Sequence, residues 1–522
     1  MGVRERARRG GGHGVYRVQI KRALTEPESE VKRRALKKAG FPAGAGYFRI
    51  VKKSLDARDK RDIHYLYTIE VDAAPPAPVR EEQKRYRSDL PVAVIGMGPA
   101  GLFAALSLAR AGLNVLLAER GKPVEERQKD VSAFYASRVL NPASNIQFGE
   151  GGAGTFSDGK LNTGVKSPFR EKVLGTFVAH GAPEEILYDS KPHVGSDRLP
   201  GVIASMRGEL LSLGCRIYFE TALTGLKIRD GKIGAICLSG KHGGEYAVSD
   251  VLLATGHSGR DTFEMLSAAG VFLEAKDMAV GVRIEHLQEN ISCAQYGAAA
   301  KLLPPADYKL TSGVSERGVF TFCMCPGGVV VAAQSEENTV VTNGMSNYAR
   351  DGVNANSAVV AQVRASDYGE GALAGIAYLR KLERAAFEAG GGGYAAPCQK
   401  VGDFLNDRIS AGVGAVRPTY PLGTAFYPLH RVLPPYVTEA LKAGIADMDR
   451  RLKGFAAPDA LLTGVETRTS SPVRVVRGAA GNSVTVGNLY PAGEVGYAGG
   501  IMSAAMDGIR AAEHILKKYE VN

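Results

Sequence analysis

Two textures of apolar patterning alternate along the chain. Residues 92–95, 114–118 and 250–254 are short, nearly unbroken apolar runs, the pattern of strands buried on both faces of a parallel sheet. Residues 102–111, rich in Ala and Leu and followed by Gly112, predict a helix between the first two of these strands. Helices follow at 124–140 and 199–213, then a strand at 216–220 and a β-meander at 226–228, 233–238 and 245–248. Elsewhere polar and apolar positions alternate. Residues 15–20, 47–54 and 63–71 read as half-buried strands, with a helix at 31–38 opened by a capping box from Thr25 to Glu28. Residues 318–331 predict a hairpin turned at Pro326, Gly327 and Gly328, and 373–389 and 436–455 predict long helices. Strand signals at 484–486 and 489–490 and an apolar helix at 501–516 return to the first texture.

These elements predict an α/β chain in four stretches. Residues 1–89 form a small N-terminal α+β module, with a disordered Arg- and Gly-rich start at 1–13 and a linker carrying Pro75, Pro76 and Pro78. Residues 90–279 and 455–522 build one Rossmann-like domain, and 280–454 an inserted α+β substrate domain.

Glycine placement brings in the first chemistry. Gly96, Gly98 and Gly101 stand in G-x-G-x-x-G spacing between the strand at 92–95 and its helix. Gly96 permits the tight turn, Gly98 lets a pyrophosphate approach the backbone, and Gly101 lets helix and strand pack closely. The helix N-terminus supplies N–H groups and partial positive charge. Glu119 ends the second strand, placed to accept hydrogen bonds from a ribose and to disfavour a 2′-phosphate. Strand, turn, helix, strand and acid in this order predict dinucleotide binding. The loop at 145–164 holds six glycines among polar residues including Thr155, Ser157, Asp158 and Lys160, a composition suited to lining a ligand. The strand at 250–254 ends in Thr255-Gly256-His257, a sheet edge that can meet the same dinucleotide. Gly499 and Gly500 open the late helix, giving a second N-terminus suited to the flavin edge where negative charge builds on reduction.

Composition changes the picture at three points. A chain of 522 residues is long enough for two or three cores, and its 64 glycines fit a fold of tight turns and close ligand approaches. No apolar run nears membrane-spanning length and no signal-peptide core is present, so the expectation is a cytoplasmic protein with no membrane partner. The six cysteines show neither C-x-x-C nor zinc spacing, so they predict neither a disulfide framework nor a metal site. The net charge of +11 sits almost wholly in the first 90 residues, which hold 22 Lys and Arg against 12 Asp and Glu. That surplus is either a solvated basic face or a surface for nucleic acid or an acidic partner.

The early fingerprint, the A-T-G strand end and the late GE-x-x-x-x-GG-I segment together resemble the glutathione-reductase-type flavoproteins. More narrowly, NIQFGEGGAGTFSDGKLNT, FCMCPGG, VVTNGMSN and LLTGVETRTSSPVR resemble a bacterial "uncharacterised FAD-dependent dehydrogenase" family over nearly the whole chain. The resemblance implies an FAD-binding domain and redox activity, and it supplies no substrate. On this reading Gly96, Gly98, Gly101, Glu119 and Arg127 hold the ADP half of FAD, with Pro99, Ala100 and Arg120 also in the cofactor set. Gly493, Glu494, Gly499, Gly500 and Ile501 fall on the flavin half, with Glu494 where an Asp is more usual. Gly151, Gly152, Thr155, Thr255 and Gly256 complete the cofactor set.

On the substrate side the candidates are Cys323, Cys325, His257, Glu466 and Arg468. Cys323 and Cys325, two apart in a strand, would share a face, either as redox thiols or as inert buried cysteines. Glu466 and Arg468 either pair with each other or clamp an anionic substrate. His257 is either a proton donor or structural. The C-x-x-x-x-C of flavin disulfide reductases is absent, and no second G-x-G-x-x-G unit offers a site for NAD(P)H, which stays open as a donor bound by other means. The expected function is an FAD-dependent oxidoreductase acting on a small molecule. Against it stand a tRNA-modifying flavoprotein using the basic module and a non-catalytic flavin-binding sensor.

Overall fold

The computed structural model describes residues 4–6, 15–42, 46–75 and 85–521. Its first unit is a four-stranded antiparallel sheet in the order Arg4–Arg6, Val15–Ala23, His64–Asp72, Tyr47–Asp56, covered by the helix Ser29–Lys38. Val31, Ala35 and Leu36 of the helix pack on Val18, Ile20, Tyr67, Ile69 and Val71, an alternating face of the sheet. Burying each of the larger side chains is worth roughly 1.5–3 kcal/mol, enough for a small separate core. The predicted capping box is not made. Glu28 sits at the N-cap without capping, because its carboxylate accepts from Tyr67 Oη (2.9 Å) and faces Lys53. Of the stretch read as disordered, Arg4–Arg6 form an edge strand. The rest of 1–14, and Pro76 and Pro78 of the linker, lie outside the described residues.

A five-stranded, all-parallel sheet follows, in the order Leu489–Pro491, Asp250–Leu253, Val92–Ile95, Val115–Ala118, Arg216–Tyr218. Every residue of its first four strands is buried, as their continuous apolar runs require. One face carries the helices Pro99–Arg110 and Ile501–Tyr519. The other carries the antiparallel meander Thr221–Arg229, Lys232–Gly240, Gly244–Ala247 and the helix Arg260–Ala268. The first helix begins at Pro99, three residues before its apolar run, because proline at N1 has no N–H to leave unpaired. Two glycines set its position. A Cβ on Gly101 would overlap the Gly96 carbonyl oxygen, and one on Gly508 would overlap that of Ala100. The two helices therefore cross in direct backbone contact.

The chain leaves this sheet along Leu273–Ala275 and returns along Val473–Val475, two strands paired antiparallel. Between them lies a seven-stranded sheet in the order Thr311–Ser312, Val319–Cys325, Asn354–Val363, Met278–Leu287, Leu461–Glu466, Ala396–Lys400, Thr424–Phe426. The helix Pro435–Arg451 buries Val437, Leu441, Ile445 and Met448 against it, at the spacing of one helical face. Leu461–Glu466 belongs to this sheet although it follows residue 454. The predicted hairpin does not form. Val319–Cys325 pairs with Thr311–Ser312 and Asn354–Val363, whereas Val329–Ala332 pairs with Thr342–Met345 in a separate ribbon. At the turn, Gly327 takes φ +51° and packs so close to Arg350 that a Cβ there would overlap its carbonyl oxygen. Among the described residues no helix is long and apolar enough to cross a membrane, and no group of His, Cys, Asp and Glu could hold a metal.

Candidate functional site

The carboxyl ends of the parallel strands open on one cleft of about 350 Å³, roofed by the seven-stranded unit. Such a sheet leaves ligand space at this edge. The helix Pro99–Arg110 presents its N-terminus there, with Gly98 at the N-cap and no side chain capping it. The helix Ile501–Tyr519 does the same behind Gly500, at φ +78°. Uncapped ends leave oriented N–H groups and partial positive charge facing the cavity. Gly96 turns at φ +97°, where a Cβ would meet the Ala254 carbonyl, and Gly98 lies 3.7 Å (from an ideal Cβ) from Gly152 Cα across the space. Gly96, Gly98, Pro99, Ala100, Glu119, Arg120, Gly152, Thr255, Gly256, Glu494, Gly499, Gly500 and Ile501 all line this cleft.

Other predicted cofactor residues stand behind it. Arg127, 0% exposed, donates to the carbonyls of Asn145, Ile146, Gly149, Glu150 and Gly152, so it organises the Gly-rich loop rather than reaching the cavity. Thr155 and Gly151 face a smaller space beside Ile203. Gly101 lies inside its helix, and the Gly493 N–H donates to Asp507. Glu119, the expected ribose acceptor, and Glu494 are both already engaged. Glu119 accepts from the N–H groups of Met97 (2.7 Å), Gly121 (2.9 Å) and Gly149 (2.9 Å). Glu494 accepts from the Gly500 N–H and lies 2.8 Å from His257 Nδ1. Burial alone would raise Glu494, but the contact with His257, the Gly500 N–H and Lys276 together outweigh it and hold the carboxyl below its usual range. Arg120 lies over the Phe148 ring and pairs with Asp261.

The opposite wall is built from buried charge. Of the predicted substrate-side residues, His257, Cys323 and Arg468 line the cleft, and Cys325 and Glu466 lie behind it. The two cysteines do not share a face as a regular strand would require. A bulge between Phe322 and Cys325 breaks the pairing with Asn354–Val363, and Cys323 takes φ +43° in the left-handed region. Arg283, fully buried, reaches the Cys323 carbonyl (2.5 Å), the Cys325 sulfur (3.5 Å) and Glu466 (3.3 Å). Burial pushes Glu466 up to about 7 in spite of that arginine. Glu466 thus pairs with Arg283, not Arg468. Arg468 and Arg260 both pair with buried Glu383, whose carboxyl they hold low against the effect of burial.

Three buried polar atoms of the cleft lining have no hydrogen-bond partner: Thr255 Oγ1, His257 Nε2 and Arg468 Nε. Lys160 Nζ is likewise without a hydrogen bond, 3.4 Å from Asp158, whose carboxylate is taken by Ser346 and Arg350. Sequence reasoning passed over Arg283, Glu383 and Asn343, the last lining the cleft. Arg283 had a signal: a lone guanidinium inside MAVGVRIEHL, a run otherwise fit for a core.

Residues 277–469 match a family described as FAD-dependent protein, C-terminal domain-like; 91–136 match an FAD binding domain and 16–72 a domain of unknown function. Among solved structures, the chain is similar to a geranylgeranyl bacteriochlorophyll reductase-like protein of Thermoplasma acidophilum, with 12% identity, TM-score 0.36, and 81% of this chain and 77% of that one covered. It is also similar to glycine oxidase of Bacillus cereus, with 11% identity, TM-score 0.33, and 83% and 99% covered. Over 497 residues it is 47% identical to an uncharacterized protein of Clostridium beijerinckii, covering 90% of this chain and 92% of that protein. With its FAD-binding segment and FAD-dependent C-terminal region, the chain belongs to the family of FAD-dependent proteins that this clostridial relative represents.

Proposed function

We propose that the protein is an FAD-dependent oxidoreductase that carries FAD along this cleft and exchanges electrons with a small anionic molecule at its cap-side wall. The observation that supports it most is the meeting of two uncapped helix N-termini, behind Gly98 and Gly500, on a single cleft lined by unpartnered buried polar atoms. The residues fit the group. The Gly98 end suits a pyrophosphate, because its N–H groups and the bare Gly98 and Gly152 backbones accept close approach of phosphate oxygens. The Gly500 end suits the electron-rich edge of the isoalloxazine. Thr255 Oγ1 is placed to bond the cofactor. Glu119 takes the role of loop organiser, with one lone-pair site left for a ribose, since three of about four are used.

Bound there, FAD supplies two-electron transfer chemistry. The chain does the rest. Arg468 and Lys160 attract a carboxylate, and His257, oriented by Glu494 at Nδ1, offers the substrate its unpartnered Nε2. In this reading the chain divides into a module through 89, an FAD-binding part at 90–276 and 470–522, and a cap at 277–469. The test is to purify the protein, identify its flavin, and follow anaerobic bleaching by NADH, NADPH and a panel of small carboxylates. Tight FAD bleached by a carboxylate or nicotinamide donor supports the reading. Colourless protein whose melting temperature ignores added FAD overturns it.

A further inference from the structure

We propose that Cys323 is the reactive thiol of the cleft and exchanges with a small disulfide that carries negative charge. The inference rests on the cleft being the working site, and it adds a chemistry that bound FAD alone does not imply. Cys323 lines the cavity beside Lys160, Asn343 and Arg468, while Cys325 is wholly buried behind it. The bulge and the left-handed φ of Cys323 take the two cysteines off the common face of a flat strand, leaving Cys323 at the cavity and Cys325 in contact behind it. Backbone held in a sparsely populated region by its surroundings marks a position with a task.

Two cations flank the sulfur. The Cys325 thiol lies against both the Cys323 carbonyl oxygen (3.3 Å) and the Cys323 sulfur. Together with the Arg283 guanidinium behind and Lys160 in front, it holds the Cys323 thiol below the usual range, against burial and the Asp158 charge. The proton the pair keeps stays on Cys325, which is pushed up. Glu466 shares Arg283 and is itself pushed up by burial, so it leaves much of the arginine's charge to the sulfur. A thiolate at a partly exposed, electropositive position is the nucleophilic form.

In the exchange, the Cys323 sulfur attacks one sulfur of R–S–S–R. A Cys323–S–R bond forms as the substrate S–S bond breaks, and RS⁻ leaves and takes a proton from water. The Cys323 sulfur is oxidised and the leaving sulfur reduced, so no further oxidant is needed. Lys160 and Arg468 select the anionic disulfide over a neutral one.

The experiment uses the full-length protein with its flavin. The dianionic 5,5′-dithiobis(2-nitrobenzoate) is compared with neutral 2,2′-dithiodipyridine by stopped flow, and the labelled thiol is mapped by peptide mass. The expected result is one fast equivalent on Cys323, with a rate–pH midpoint below the ordinary thiol value of about 8.5. Exposed Cys293 should follow slowly. The anionic-to-neutral rate ratio at Cys323 should exceed that at Cys293 about fivefold, the size of one close ion contact. Cys323→Ser should remove the fast phase. Cys325→Ser should keep it but raise its midpoint, and Lys160→Gln should narrow the anionic preference. If a variant fails to fold, the wild-type map and pH profile decide alone. A fast equivalent on another cysteine, an ordinary midpoint, or equal preference for the two disulfides overturns the proposal. Flavin absorbance read in the same sample separates this failure from that of the FAD reading.

Discussion

The two walls of the cleft are built on opposite principles. On the parallel-sheet side, binding geometry comes from backbone: glycine turns, uncapped helix ends, and acids whose oxygens are taken up by N–H groups. On the cap side it comes from long charged side chains buried in pairs, Arg283 with Glu466 and Arg260 and Arg468 with Glu383. The difference concerns what each wall tolerates. A backbone wall fails when bulk is added. A charged wall fails when one partner is removed, because a buried charge is then left alone.

Breaking the charged wall should have the largest effect. Arg283→Met strands Glu466 and the Cys323 carbonyl, and we expect a loss of about 3–5 kcal/mol in urea unfolding of the FAD-free protein. A loss under 1 kcal/mol would mean that the pair is not load-sharing. Adding bulk to the backbone wall comes next. Gly98→Val should weaken FAD binding roughly 100-fold, about 2.7 kcal/mol, while the melting temperature of the FAD-free protein stays close to wild type. Unchanged affinity in a fluorescence titration would remove Gly98 from the site.

Glu119→Gln sharpens the contrast, since an amide cannot accept from all three N–H groups. The FAD-free protein should lose about 1–3 kcal/mol, which a purely ligand-binding acid would not cause. Glu466→Gln acts through pH. The folded carboxyl sits at about 7, above its ordinary 4.5. Its contribution is therefore complete below pH 4.5 and is lost as pH rises toward 7, and the variant should show a flatter decline in melting temperature across that window. The smallest effect should come from deleting residues 1–75. No described residue of the module lines the cleft, so FAD affinity should stay within about twofold, since only contacts at the cavity change it. A fall beyond tenfold would join the module to the site.

The backbone wall was the legible one. Gly96 and Gly101 stand where steric contact demands them and Gly500 where the backbone takes a positive φ, and the strands at 92–95 and 251–253 are apolar because both faces are covered. The charged wall was not. Nothing local distinguishes the strand after Gly328 from the return arm of a hairpin, since its true partner, Thr342–Met345, is chosen by packing. Proximity in sequence offered Glu466 and Arg468 as a pair or as a clamp for an anion, whereas the fold gives them separate partners from distant strands and helices. Residues such as Arg283 and Glu383 acquire meaning only when remote segments meet, which is why composition and spacing passed them by.

The crossing of the Pro99–Arg110 and Ile501–Tyr519 helices has a consequence for biosynthesis. Leu489–Pro491 completes the sheet edge beside Asp250–Leu253, and the helix after it locks onto Ala100 through Gly508. A nascent chain still lacking these segments has neither the second N-terminus nor the support for the first. Cofactor loading must therefore wait for the tail to leave the ribosome, and a tunnel-stalled chain ending before 489 should emerge without flavin.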